Sequence, residues 1–151
     1  MPDRRDDVLE YLDNHNVATL ATVGPDGPWA AAVFYCNDGF ALEFLSSPRS
    51  RHVQNLTHNS RCSAAIHEDY RGWTEIRGIQ IEGVVRVLTD TRRAAAIARY
   101  ESKFPMIRPD QAAEPIRAAL ERVEWYELIA DRCFFTDNSL GFGHRDEIAV
   151  S

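Results

Sequence analysis

Cysteine is scarce in this chain, with three in 151 residues at Cys36, Cys62 and Cys133 and no C-x-x-C pair among them. A disulfide framework and a thiolate zinc or redox centre are thereby excluded, and reduced, mostly buried thiols are expected. The five histidines, His15, His52, His58, His67 and His144, include no H-x-x-x-H pair to set two imidazoles on one helical face. A metal centre built from protein ligands is therefore not expected. Long apolar runs are missing too, since none approaches the roughly 20 residues that span a bilayer. The opening MPDRRDDVLEYL carries acids where a secretory signal has a basic and then an apolar segment. These absences predict a cytoplasmic protein with no membrane partner.

Positive charge is also in deficit, with 17 Lys and Arg against 23 Asp and Glu and a net charge of -6. That balance argues against a broad surface for neutralising phosphates, so nucleic acid is set aside as a partner. No G-x-S-x-G elbow, P-loop or G-x-G-x-x-G occurs, and no Ser or Cys has a His and a carboxylate at a triad spacing. Triad hydrolases and the common nucleotide folds drop out with them.

What is present reads as one continuous domain over residues 1–151, without repeats or linkers, 44% hydrophobic and 26% charged. Residues 1–14 supply an N-terminal helix, drawn over 3–14, with acids in its first turn and an apolar stripe of Val8, Leu9 and Leu12. Three β-rich runs follow, VATLATV, WAAAVFYC and FALEFLS, separated by the turn sequences GPDGP and NDG, and they read as a β-meander. Pro48 to His58 reads as a short helix with Ser47 or Ser50 at its N-cap, and RCSAAIH returns to strand. The run IRGIQIEGVVRVLTD is a long strand whose two glycines suggest bulges. Helices are expected from Thr89 or Asp90 to about Lys103 and over Ala112–Arg122. VEWYELIA and RCFFTDN then act as two closing strands, and residues 131–151 hold the last strand and a glycine-bearing tail. The sum is mainly β with helices: six or seven mostly antiparallel strands forming a small decorated barrel.

One stretch departs from the acidic average. From Phe44 through His67 there is no Asp or Glu but three Arg and three His, where an even spread of 23 acids over 151 residues would place three or four. Its order is strand, SSPRSRHV, helix, and a helix N-terminus presents unpaired N–H groups and the positive end of a dipole. Ser46 and Ser47 offer hydroxyls, Ser50 caps or binds, and Arg51 with His52 offers charge-assisted bonds of roughly 1.5–3 kcal/mol each. Plain capping with solvated Arg49 and Arg51 is the competing reading, and composition leaves both open. Trp73 and Gln80, near the start of the long strand, pair an aromatic with an amide, as a planar hydrogen-bonding ligand requires. Asn138, Phe142 and Gly143 raise the same question in the tail.

Taken in order, NVATLATVGPDGPWAAAVFY, FALEFLSSPRSRHVQNLTHNSRCSAAI, WTEIRGIQIEGVVRVL and TDNSLGFGHR resemble the pyridoxamine 5′-phosphate oxidase-like, FMN-binding split-barrel family, from about Val17 to Arg145. The resemblance implies an antiparallel split β-barrel, a homodimer, and FMN at the subunit interface. It implies that Ser50-Arg51-His52 stands in for a Ser-Arg-Lys phosphate motif, with His in place of Lys, and that Ser46 supplies a phosphate-contacting hydroxyl. Ala31, Ala32, Val33 and Phe34 fall where family backbone groups meet the flavin edge. This strand lacks the Arg and Lys that true pyridoxamine-phosphate oxidases carry there, which weakens a vitamin B6 role. Gln80 and Trp73 resemble residues that other members place near the ring, and Asn138 and Phe142 resemble a tail that crosses toward the partner's cofactor.

The function expected is that of an FMN-dependent oxidoreductase, passing hydride or electrons through flavin N5 to a small organic substrate or O₂. No side-chain acid or base is assigned. The alternatives are a deazaflavin-dependent reductase in the same barrel, a carrier or sensor that holds flavin or haem without turnover, and an interaction module.

Overall fold

Alternation decides which face of each strand is covered. In RCSAAIH, for example, Cys62, Ala64 and Ile66 are buried while their neighbours turn outward. The computed structural model describes residues 3–151. In chain order the elements are α1 (Arg5–Asn14), β1 (Val17–Gly24), β2 (Gly27–Phe34), β3 (Cys36–Asp38), β4 (Ala41–Ser46), α2 (Arg51–His58) and β5 (Arg61–His67). They continue with β6 (Arg77–Val87), α3 (Asp90–Lys103), α4 (Glu114–Leu120), β7 (Glu124–Asp137) and β8 (Arg145–Ile148). Short 3₁₀ turns occupy Trp73–Glu75, Pro105–Ile107 and Asn138–Leu140.

All pairings are antiparallel, in the order β2-β1-β5-β6-β7-β4-β3, with β8 added to β7. The sheet curls into the half-barrel of a split barrel. Leu20, Leu42, Phe44, Ile66, Ile79, Ile81, Leu128 and Phe135 fill its concave side, and Val8 and Leu12 of α1 close one end. A second cluster, Cys36, Leu88, Ala96, Tyr100, Phe104 and Trp125, forms under α3.

The expected helices and most strands form, with shifted ends. The first helix begins at Arg5, and residues 1–2 of the segment drawn as 1–14 lie outside the described residues. The helix drawn from Pro48 begins at Arg51, because Ser50 is its N-cap and accepts from the Val53 N–H at 3.4 Å.

Three expectations fail. The meander does not form, since among the described residues β2 pairs only with β1 while β4 pairs with β3 and β7. Buried Tyr35 ends β2, with its N–H bonded to the Asn16 carbonyl at 3.0 Å and its hydroxyl donating to the Leu12 carbonyl at 2.7 Å. The chain beyond it pairs in a new direction. The two closing strands are one 14-residue strand, β7. Glu82 faces Arg132 and Gly83 faces Ala130, so Asp131 is left over as a bulge and the strand bends without breaking. Only one of the two glycines in β6 marks that irregularity, and a Cβ on Gly83 would stand 1.8 Å from the Ile129 carbonyl oxygen. Finally, the tail contains a strand, β8, that pairs Arg145 with Thr136 and Ile148 with Cys133.

Candidate functional site

The acid-free segment builds a tight turn between β4 and α2. Ser50 donates its hydroxyl to the Ser47 carbonyl at 2.8 Å, and the Ser47 hydroxyl accepts from the Arg49 N–H at 3.2 Å. Gln54 ties the turn from behind through the Pro48 carbonyl at 2.7 Å. With Val53 and Gln54 N–H groups both bonded to Ser50, the N–H groups of Arg51 and His52 keep no partner among the described residues. Arg51 reaches back to the β1–β2 hairpin, where its guanidinium lies 4.2 Å over the Trp29 ring and donates to the Asp26 carbonyl at 3.3 Å.

His52 departs from its expected role. It is half-buried, its Nε2 lies 2.8 Å from the Ser46 hydroxyl and 3.4 Å from that of Ser50, and burial lowers its pKa below the ordinary value. A neutral imidazole holding Ser46 replaces the second cation expected beside Arg51.

The run Ala31–Phe34 lies on β2, whose far edge pairs with no other strand among the described residues. Its side chains alternate: Ala31 and Val33 are partly covered, while Ala32 and Phe34 face out. Register places Ala32 beside Thr19, Thr19 beside Ala65, Ala65 beside Gln80, and Gln80 beside Phe134. Thus Ala32 and Gln80 share one row on the convex face. Small residues, Thr19, Ala21, Ser63 and Ala65, make the floor of a cleft of about 310 Å³ there, bounded by Gln80, Glu82, Phe134 and Arg145. Ala21 pairs with Ala30, whereas Trp29 pairs with buried Thr22, so Trp29 and the Arg51 above it stand at the β2 edge on the opposite face from this floor.

Trp73 does not line that cleft. It stands on the Trp73–Glu75 turn at the end of the sheet, 68% exposed, with its ring 5.2 Å from that of Phe142, itself 80% exposed. Asn138 joins the two segments, donating to the Trp73 carbonyl at 2.9 Å and accepting from the Gly143 N–H at 3.1 Å. The aromatic and amide expected together near the long strand are therefore in different places, and Trp73 pairs with the tail instead. Trp29, Phe134 and Arg145 escaped the sequence reading. Trp29 had a visible signal, an aromatic beside a glycine turn facing an arginine-rich segment, and Phe134 lies within the expected strand RCFFTDN, but Arg145 depends on the unforeseen β8.

All three cysteines are free and buried, and burial pushes each thiol up to about 12. None is a nucleophile at neutral pH. Among the described residues no cluster of three or more metal-ligating side chains occurs, and no helix is long and apolar enough to cross a membrane.

Comparison with known proteins gives the same frame. The UPF0306 protein YhbP of Salmonella schwarzengrund is 32% identical over 137 residues, covering 89% of this chain and 86% of that one. A haem-binding protein from Mycobacterium smegmatis superposes with a TM-score of 0.77 at 23% identity over 99% of this chain, which spans 59% of that longer one. A Listeria innocua protein provisionally named a pyridoxamine 5′-phosphate oxidase superposes with a TM-score of 0.68 at 17% identity, covering 87% of this chain and 96% of that one. The family model described as pyridoxamine 5′-phosphate oxidase matches residues 5–133, from α1 to the middle of β7. By that match and by its curled antiparallel sheet, the chain belongs to the pyridoxamine 5′-phosphate oxidase family of split barrels.

Proposed function

We propose that this chain is an FMN-binding flavoprotein that works as an oxidoreductase on a small molecule. The observation that carries the reading is the presence of two features on either face of the edge strand β2: an acid-free turn with Arg51 and two helix N–H groups unpaired among the described residues, and an uncovered floor of small residues beside Gln80. The first fits a phosphate, and the second fits a flat ring with hydrogen-bonding edges. Ser46, Ser50, Arg51 and the backbone N–H groups of Arg51 and His52 would hold the phosphate. Backbone groups on the free edge of Ala31–Phe34 and the Gln80 amide would orient the ring. Bound FMN supplies hydride or electron transfer, and the protein supplies orientation and electrostatics.

A homodimer is part of the proposal. The free edge of β2, with Trp29 42% and Phe34 56% exposed, is a surface that a second copy would cover. Buried, reduced thiols suit the reducing environment of the cytoplasm.

A second reading, haem carriage without turnover, is favoured by the likeness to the Mycobacterium smegmatis haem-binding protein. Here His52 is engaged by Ser46 and His144 by Asp146 at 3.0 Å, so neither is free to ligate iron as it stands. Purified protein titrated separately with FMN and hemin separates the two. Stoichiometric quenching of flavin fluorescence, with reduction by NADPH and reoxidation by an acceptor, supports the flavoprotein. No FMN uptake, with a Soret band lost on a single His→Ala change, overturns it in favour of haem.

A further inference from the structure

Ser46 has one hydroxyl hydrogen and two claims on it. The residue ends β4, is only 8% exposed, and sets its hydroxyl 2.8 Å from Nε2 of His52. While that nitrogen carries no proton it accepts the Ser46 hydrogen, which is then spent on the imidazole. The Ser50 hydrogen is already given to the Ser47 carbonyl at 2.8 Å, and the Ser50 oxygen caps α2. A proton on Nε2 reverses the first bond, so that Nε2–H donates to Ser46 and the Ser46 hydrogen is released to a phosphate oxygen. Moving the one ring proton of a neutral imidazole onto Nε2 also releases it, but adds no charge.

The surroundings of His52 leave its charge open to a ligand. Burial favours the neutral ring, and the ring makes no ion pair among the described residues. Neither β1 nor β2 carries a charged side chain, and β4 carries only Glu43, which Arg99 holds. The other charged groups on the elements packed around it are Glu124, opposite Ser46 on β7, Asp26 in the β1–β2 hairpin, and Arg49 and Arg51 of its own turn. Arg49 is exposed and Arg51 is anchored at the hairpin. A dianion seated in the turn therefore supplies the opposite charge that His52 lacks, and an opposite charge close to a titratable group favours its charged form.

We propose that His52 takes up a proton when the phosphate binds, neutral without it and an imidazolium with it, and that the turn thereby makes cofactor affinity depend on pH. This rests on the flavin-site reading, because it takes the turn as the cofactor's phosphate anchor. One proton passes from solvent to the ring, Nε2–H donates to Ser46, and Ser46 donates to the phosphate. The linkage has one sign: a complex that holds a proton the unliganded protein lacks weakens as pH rises, tenfold per pH unit for a whole proton and about threefold for half of one.

Calorimetric titration of FMN into the full-length protein at about pH 7.5, in buffers of different ionisation heat, counts the protons exchanged. A phosphate monoester, with a second pKa of about 6, is nearly all dianion there, so uptake reports the protein. The wild type is expected to take up roughly half a proton or more per FMN and to lose about threefold or more in affinity from pH 7 to 8. His52→Gln and the permanently charged His52→Lys are expected to take up almost none and to hold a flat affinity over that range. Riboflavin, which has no phosphate, is expected to draw no proton into the wild type. Nitrogen NMR of the imidazole rings, which needs no variant, is expected to show a neutral His52 before FMN is added and an imidazolium after. FMN binding without proton uptake, uptake that persists in His52→Gln, or a neutral His52 in the complex overturns this proposal and leaves the flavin reading standing. If the wild type binds no FMN, the flavin reading fails and the proposal falls with it.

Discussion

The Ser46 hydroxyl lies 2.8 Å from Nε2 of His52, a half-buried imidazole whose pKa burial lowers. A histidine with a lowered folded pKa stabilises the fold in its neutral form. That contribution is complete above the ordinary value of 6.5 and is lost as pH falls through the lower folded value. The wild-type melting temperature is expected to decline more steeply as pH falls below 6.5 than that of His52→Gln. Parallel pH profiles for the two proteins would contradict a neutral His52.

Gly83 faces the bulge at Asp131, where a Cβ would press into the Ile129 carbonyl. Gly83→Ala is expected to cost roughly 1–3 kcal/mol or more in urea unfolding, as overpacking against backbone does. A change below about 0.5 kcal/mol, the range of ordinary surface substitutions, would show that the strand yields freely there.

Glu43 is 2% exposed and is gripped by Arg99 through two bonds of 2.6 and 2.7 Å. Removing the guanidinium strands a buried carboxylate, whereas Glu43→Gln leaves a partly exposed arginine that water can serve. Arg99→Ala is expected to cost toward the lower end of about 3–5 kcal/mol, and Glu43→Gln about 1 kcal/mol. Equal costs in denaturant titrations would refute this asymmetry.

Asn138 links the Trp73 turn to the tail through one amide. In Asn138→Ala the Gly143 amide loses its acceptor and is expected to exchange with deuterium much faster, while amides of the β6–β7 ladder keep their protection. Unchanged exchange at Gly143 would show that the tail is held by other contacts.

Much of this molecule is legible in its residues, and the failures share a cause. Alternation in RCSAAIH and the caps and turns around Ser50 and the NDG sequence are local signals, and they locate β5, α2 and the β3–β4 turn correctly. Pairing is not local: nothing within WAAAVFYC announces that Tyr35 will bond Asn16 and send the chain away from β2. Nor does RDEI look like a strand, since only Ile148 of β8 is buried and the rest is charged. Losing β8 meant losing Arg145 and the far wall of the cleft. In contrast, the acid-free stretch from Phe44 through His67 pointed to the anion turn because it marks an environment, and that does not depend on which strands pair.

The phosphate turn is the centre of the account, and riboflavin, which is FMN without its phosphate, isolates it. Fluorescence titration of the wild type and Arg51→Ala with both flavins reads the contact directly. One charge-assisted bond predicts that the wild type binds FMN at least about tenfold more tightly than riboflavin, and that Arg51→Ala erases most of that preference while leaving riboflavin affinity unchanged. Equal affinity of the wild type for the two flavins, or a preference untouched by Arg51→Ala, would contradict it.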